Sequence, residues 1–377
     1  MKELRVGVVG LGHRGRNMFR LAADGFDFVN PVAACDLIES NWYETKFQQD
    51  KPMCESLPQT KFYTDFKKML DESGLDVLIV ETGADVHAEF CAEGLKRNIH
   101  VMSDIPVVAS IEEADMLWEA HKKSKGMFMT GANANEAKYS VMLKELYKDG
   151  LLGKPYCMEA EYIHWNMPGN RESKALVENG DWRKLLCPVR YCTHSLGPLL
   201  QVVEEDLRYV SCFGTGAHGP ENEYGDFKKD DMSCAQFQTE SGVVVRLMRN
   251  GRCRAKIGHH AYRVFCTEGY FERTSGRGSK FPETIFYNST KLHSARDLQD
   301  VPGVYMPYDY ASNPKAVGHG GMDYALLDHF FDALQNGKES PISLKEGLRM
   351  TLPGIYAEMS SKQGGKVLEI RYPWDND

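Results

Sequence analysis

Hydrophobic positions along the first 130 residues fall into two alternating rhythms. Short apolar runs rich in β-branched residues occur at Arg5–Val9, Pro31–Cys35, Val77–Val80, Ile99–Met102 and Met127–Met129, and read as buried parallel strands. Between them come stretches with helical spacing: one carrying Met18, Phe19, Leu21 and Ala22, then Phe66–Leu70, Val86–Lys96 and Ile111–Lys123. This alternation predicts a parallel sheet covered by helices. Such sheets collect ligands beyond the C-terminal strand ends, which here means Glu81, Thr82, Gly83, His87, Asp104 and Pro106.

From about Asn133 the rhythm changes. Ala137–Lys148 is helical and stops near Gly150, which suits a C-terminal cap. Pro155–His164 reads as a strand. Met232–Thr239 turns through Glu240-Ser241-Gly242 into Val243–Met248, and Tyr262–Thr267 turns at Glu268-Gly269 into Tyr270–Arg273, both as antiparallel pairs. Gly276–Asp309 is weakly patterned and reads as loops and short strands. Residues 321–335 carry Met322, Leu326, Phe330 and Leu334 near helical spacing, and a last helix runs from Leu344 to Ser361. The expectation is two domains, residues 1–130 and 131–377, with the last helix free to pack back onto the first.

Gly10-Leu11-Gly12-His13-Arg14-Gly15 joins the first strand to the first helix. In a dinucleotide-binding loop the first glycine permits the tight turn, the second lets backbone approach a pyrophosphate, and the third lets helix and strand pack closely. The helix start adds unpaired N–H groups and the positive end of its dipole. Asp36 lies 21 residues past Gly15, at the end of the second strand, where a carboxylate accepts the ribose hydroxyls. It repels a 2′-phosphate, and Leu37 and Ile38 bring no cation, so NAD is expected over NADP.

The formal net charge is -8, and no basic run stands out against it, so neither nucleic acid nor an anionic membrane is an expected partner. Nowhere do eighteen apolar residues follow one another, and Met1–Arg5 runs into the first strand without a leader pattern. The ten cysteines show no Cys-x-x-Cys spacing, and Cys35, Cys91 and Cys266 have apolar or aromatic surroundings. Buried thiols and a reducing, cytoplasmic location are expected.

Three stretches concentrate reactive side chains. In Glu161-Tyr162-Ile163-His164, strand periodicity puts Tyr162 and His164 on one face and Glu161 on the other. They suit either ordinary aromatic packing or proton transfer and sugar binding. In Tyr191-Cys192-Thr193-His194-Ser195-Leu196-Gly197-Pro198, His194 stands at the start of an apolar helical run, where the dipole favours a neutral imidazole. Ser195 lacks the GxSxG elbow of a hydrolase nucleophile. In Gly318-His319-Gly320-Gly321-Met322-Asp323, His319 and Asp323 either reach a ligand or cap the next helix. No local ligand spacing calls for a metal. Trp165 and Trp182 offer stacking surfaces for sugar rings.

On these stretches the chain resembles the Gfo/Idh/MocA family of NAD(P)-dependent oxidoreductases along nearly its whole length. The order of strand, Thr82-Gly83, His87, then His100-Val101-Met102-Ser103-Asp104-Ile105-Pro106 carries the likeness most specifically. The resemblance implies an α/β fold: an N-terminal Rossmann domain joined to a C-terminal α+β domain with a large, open, mostly antiparallel sheet. It also implies a homo-oligomer formed through that sheet. Two departures stand out. Most dehydrogenases of the family have Glu-Lys-Pro where Asp104-Ile105-Pro106 stands, and an aspartate where Arg190 stands.

One branch is more similar, the NAD-dependent glycoside hydrolases typified by bacterial α-N-acetylgalactosaminidases. It also lacks the lysine, and shares the Tyr-x-His strand at Tyr162–His164, the Thr193–Pro198 stretch and the Gly318–Asp323 segment. Its acidic residue after the sixth strand is less well matched by Thr130-Gly131-Ala132-Asn133. The implied chemistry is transient oxidation of a sugar at C3 by tightly bound NAD, loss of the C2 proton, elimination and addition of water, a route that needs no carboxylate pair. Tyr162 is the candidate for the C2 proton and His194 for the hydroxyl proton, with His164 and His319 in support. Gly10, Gly12, His13, Arg14, Gly15, Asp36, Thr82, His87, Asp104 and Pro106 are assigned to the cofactor. Asn133, Trp165, Trp182, Arg183, Tyr191 and Asp323 are assigned to a carbohydrate or glycoside substrate. A net NAD-dependent sugar dehydrogenase and a non-catalytic NAD-binding regulator are the alternatives.

Overall fold

The structure, a computed structural model, describes residues 1–46, 49–164, 187–218, 230–251, 259–274, 283–294, 301–302 and 313–376. Its helices in chain order are α1 (His13–Gly25), α2 (Ser40–Tyr43), α3 (Met53–Ser56), α4 (Phe66–Ser73), α5 (His87–Lys96), α6 (Ile111–Lys122), α7 (Lys138–Lys148), α8 (Thr193–Leu200), α9 (Met322–Asn336) and α10 (Leu344–Lys362). Two compact units emerge, Met1–Glu136 with Asp309–Leu348, and Ala137–Tyr308 with Arg349–Asp377. A single break between residues 130 and 131 was expected; the chain instead divides at three places. The reason is α9, whose Tyr324 stacks on Phe26 at 5.0 Å and whose Phe331 meets Phe26 edge-on at 5.0 Å, so residues beyond 308 complete the first unit.

In the first unit β1 (Leu4–Val9), β2 (Val29–Cys35), β3 (Lys61–Tyr63), β4 (Val77–Val80), β5 (His100–Ser103) and β6 (Phe128–Thr130) form a parallel sheet in the order β3-β2-β1-β4-β5-β6. Val6, Val8, Leu78 and Ile79 are fully buried, as strands covered on both faces require. The order reverses between β1 and β4, which opens a crevice at the strand ends. Two helix starts here are closed by reciprocal side-chain pairs. Ser110 accepts from the Glu113 N–H while Glu113 accepts from the Ala109 N–H, and Ser343 and Glu346 form a reciprocal pair before α10. No side chain caps α1, whose N-terminus follows Gly12.

Among the described residues the second unit has nine strands: β7 (Pro155–Ile163), β8 (Leu207–Gly214), β9 (Met232–Thr239), β10 (Val244–Asn250), β11 (His259–Cys266), β12 (Gly269–Thr274), β13 (Thr284–Ser289), β14 (Val301–Pro302) and β15 (Leu368–Glu369). Their order is β14-β13-β12-β11-β7-β10-β9-β8-β15. The sheet is antiparallel except between β7 and β10. That parallel pair arises because the meander from β8 to β10 returns to lie beside β7. One face is apolar, with Met158, Ala160, Leu247, Val264 and Phe271 under α7 and α8. The other carries an ionic lattice in which Arg246 and Arg263 share Glu159 at 3.0 Å each. Among the described residues no helix is long and apolar enough to cross a membrane.

Candidate active site

The dinucleotide loop has the geometry its glycines suggest. Gly10 sits at φ 89, and a Cβ there would meet the Glu81 carbonyl at 2.6 Å. A Cβ on Gly15 would lie 1.9 Å from the Gly10 oxygen, so helix and strand are in contact at that point. Gly12 has nothing within 4 Å of its would-be Cβ, which leaves open space over the uncapped start of α1. Asp36 accepts from the Leu11 N–H at 2.6 Å, the Ile38 N–H at 2.7 Å and the Asn41 amide at 3.2 Å, so this acid is fixed to the loop. Below the loop, buried Arg16 donates to the Leu11 carbonyl at 2.7 Å. Backbone donors in open space, a helix dipole and a fixed acid fit NAD.

His87 plays a different part from the one expected. It is fully buried, with its ring nitrogens 2.9 Å from the Pro106 and Thr82 carbonyl oxygens. It therefore braces Thr82 and Pro106 at the strand ends, and the ring does not project toward a ligand. Ile105, where dehydrogenases of the family place their lysine, is 1% exposed and offers no proton.

Arg14, assigned to the cofactor, gathers three acids. It donates to Asp104 and Asp323 at 3.1 Å each and lies 3.6 Å from Glu81. Burial pulls its pKa down, but Asp104, Glu81 and Asp323 outweigh that and raise it well above the ordinary arginine value. Asp323 also accepts from the Asn133 amide at 2.8 Å and pairs with His319 Nδ1 at 2.7 Å. Burial alone would raise the Asp323 pKa; the His319 hydrogen bond and the Arg14 charge hold it well below the carboxylate range. Residues assigned separately to cofactor and substrate thus form one network. His319 is largely exposed and held at φ 46 between glycines with positive φ. A cavity of about 610 Å³ lined by His13, Arg14, Asn17, His319 and Asp323 opens beside it. Burial, and then the nearby Arg16 and His319, depress the pKa of His13.

The second unit carries an aromatic cluster around Tyr162. Tyr162 and His164 project to one face, with ring centroids 5.4 Å apart, while Glu161 lies within 4 Å of Arg246 and Arg263 on the opposite face. His194 is in the first turn of α8, as its sequence position suggested. It hydrogen-bonds Tyr191 Oη through Nε2 at 3.1 Å, and its carbonyl accepts from Tyr262 Oη at 2.5 Å. The Tyr162 and His194 centroids are 5.9 Å apart. Two members went unnoticed in the sequence, His260 and Arg249. His260 stacks on Tyr162 with centroids 4.0 Å apart, and the Arg249 guanidinium lies 4.0 Å from the same centroid. The signals were a charged residue at a core-facing position of the Val245-Leu247 alternation and a His259-His260 doublet in a strand. Trp165, Trp182 and Arg183 lie outside the described residues.

The sequence model of the oxidoreductase family with an NAD-binding Rossmann fold, Gfo/Idh/MocA, matches residues 4–132. Glycosyl hydrolase family 109 protein 1 of Akkermansia muciniphila is 24% identical, over 97% of this chain and 80% of its own length. The α-N-acetylgalactosaminidase of Shewanella oneidensis is 21% identical, over 96% of this chain and 83% of its own length. Among solved structures, levoglucosan dehydrogenase in complex with NADH and levoglucosan has a TM-score of 0.79 at 16% identity, covering 98% of this chain and 100% of the other. That likeness concerns the fold.

Proposed function

We propose that this chain, an NAD-binding Rossmann domain of the Gfo/Idh/MocA type within a full-length likeness to glycosyl hydrolase family 109 proteins, hydrolyses glycosides without net oxidation. The observation that carries the reading is His319. It stands on a glycine-flanked loop with Nδ1 held by buried Asp323, which leaves Nε2 as the nitrogen that exchanges a proton. Buried Ile105 in place of the dehydrogenase lysine supports it.

The Gly10–Gly15 loop and Asp36 would hold NAD tightly, and when bound it would supply the hydride acceptor and donor that a redox-neutral turnover requires. His194 takes the C3 hydroxyl proton as the ketone forms, and later gives it back. Tyr162 accepts the C2 proton that the ketone has acidified. The C1–oxygen bond then breaks, and His319 protonates the departing oxygen. Water adds at C1 and gives its proton to His319, C2 regains its proton from Tyr162, and the C3 hydroxyl is restored. His164 hydrogen-bonds the sugar, with Asn133 and Tyr191 as further contacts. The free, mostly buried cysteines suit a reducing, cytoplasmic location, and exposed Phe213 on β8 supports self-association through the nine-stranded sheet.

The test is incubation of the purified protein, with no added NAD, with α- and β-linked aryl glycosides in deuterated water. Aglycone release, deuterium at C2 and no accumulation of NADH are expected. Stoichiometric NADH without bond cleavage would establish the second reading, a net sugar dehydrogenase, which the fold shared with levoglucosan dehydrogenase favours. No turnover and no NADH across the panel would leave the regulator.

A further inference from the structure

In the first unit Arg16, at the fourth position of α1, is a buried cation that the proposed reaction has not used. Burying a guanidinium is costly. An apolar residue at this position often staples a helix start against the residue ahead of the N-cap, which is here Leu11. Leu11 is fully buried, so an apolar partner would serve the packing. The arginine reaches back instead and donates from Nη1 to the Leu11 carbonyl oxygen at 2.7 Å. A charged donor makes this a stronger bond than a neutral one. Burial lowers the Arg16 pKa, and Asp36 opposes that fall.

That bond decides where the next N–H points. In a trans peptide the C=O and N–H are directed oppositely. A Leu11 carbonyl drawn inward onto Arg16 therefore turns the Gly12 N–H outward. Gly12 borders open space, since a Cβ there would meet nothing within 4 Å. Among the described residues no backbone carbonyl accepts from the Gly12 N–H, and no side chain caps the helix start. The peptide before it obeys the same rule. Asp36 holds the Leu11 N–H at 2.6 Å, and the Gly10 carbonyl faces away from it, against Gly15. Leu11 is thus gripped through its N–H by an acid and through its carbonyl by a cation. The Arg16 N–H closes the turn by donating to the Gly12 carbonyl at 3.1 Å.

We propose that Arg16 is a positioning residue for the cofactor's pyrophosphate: by holding the Leu11 carbonyl it presents the Gly12 N–H, at the start of α1, to the phosphate oxygens. The inference rests on the Gly10–Gly15 loop holding NAD. It is the same for a glycoside hydrolase and for a net sugar dehydrogenase, since both would bind the cofactor before any chemistry.

The full chain, freed of cofactor with charcoal, is titrated by calorimetry with ADP-ribose, which carries the pyrophosphate, and with adenosine, which does not. Arg16→Met keeps the apolar stem and loses the donor. It should weaken ADP-ribose about tenfold and leave adenosine within about threefold of wild type. Arg16→Lys, which keeps a charged donor, should recover most of that loss. A merely structural arginine predicts equal weakening of both ligands. That result overturns the proposal, as does unchanged ADP-ribose affinity in Arg16→Met. A second measurement needs no variant. In wild type labelled at the glycine nitrogens, the Gly12 amide should exchange readily in the free protein and be slowed by ADP-ribose but not by adenosine. Protection of that amide in the free protein places it inward and overturns the proposal. A wild type that binds ADP-ribose no more tightly than adenosine removes the pyrophosphate from this loop, and the cofactor reading falls too. A preference for ADP-ribose that survives in Arg16→Met sinks the role of Arg16 alone.

Discussion

Two glycines three residues apart are expected to answer the same substitution in opposite ways. A Cβ at Gly12 meets nothing within 4 Å, so Gly12→Ala should leave thermal stability within about 0.5 kcal/mol of wild type. If the open space it fills takes the pyrophosphate, as proposed, NAD affinity should fall at least about tenfold, or 1.4 kcal/mol, by fluorescence titration. Gly15→Ala puts a methyl 1.9 Å from the Gly10 oxygen and should cost about 2 kcal/mol or more in urea denaturation, since backbone cannot yield as a side chain can. Equal NAD affinity in Gly12→Ala and wild type would place the pyrophosphate elsewhere. At this scale the sequence was readable where a local glycine pattern fixes backbone geometry, as in Gly10–Gly15 and Gly318–Asp323. It was not readable at His260, whose orientation depends on a ladder slip, or at Arg249, whose partner is 87 residues away. Positive φ marks the difference: among the described residues Asn98, His260 and His319 are the non-glycines that adopt it, and two of these stand in the candidate sites.

At the scale of elements, the long apolar runs and helices fell where their periodicity put them, with ends displaced by up to three residues. The exceptions are strands at or next to a sheet edge. Lys61–Tyr63 and Leu368–Glu369 are too brief to show a period, and Leu207–Gly214 interrupts its alternation with exposed Tyr209 and Phe213. α9 was read as a single stripe through Met322, Leu326, Phe330 and Leu334. Its buried surface is wider and includes Asp323, Tyr324, Leu327 and Phe331, because it packs in a crowded core. One contact of α9 gives a pH prediction. His329 Nδ1 lies 3.0 Å from Glu136, and that hydrogen bond raises the histidine pKa above 6.5 against the opposing effect of burial. A raised histidine stabilises fully below its unfolded value and loses the contribution as pH rises through the folded one. Wild type should therefore exceed His329→Gln by about 1 kcal/mol near pH 6, with the gap closing by about pH 9. Urea denaturation of both proteins at the two pH values checks it, and a gap that widens with pH contradicts the pairing.

For the molecule as a whole, the class of each half followed from rhythm alone: alternation of strand and helix gave the Rossmann half, and hairpins gave the sheet. The path of the chain between the halves was hidden. Nothing in the spacing of residues 309–348 says which core they join, since an amphipathic helix is satisfied by any apolar surface of the right width. The choice is made by long-range aromatic contacts, with Phe26 against Tyr324 and Phe331, and Phe28 against Phe331 at 5.8 Å. A fragment of residues 1–136 then lacks the partner for that surface. Leu326, Leu327, Phe330 and Phe331 are fully buried, and at about 1.5–3 kcal/mol each their removal costs roughly 6–12 kcal/mol. That is comparable to the whole stability of a domain, about 5–15 kcal/mol. Residues 1–136 alone should therefore show no cooperative melting and no NAD binding. The same residues joined by a flexible linker to 309–348 should recover both, and NAD at about a hundred times its Kd should add about 2.7 kcal/mol to their stability. Circular dichroism melts with and without NAD decide the matter. Cooperative, NAD-responsive melting of 1–136 alone would mean that the cofactor unit ends where the Rossmann sheet ends, and that α9 contributes nothing to it.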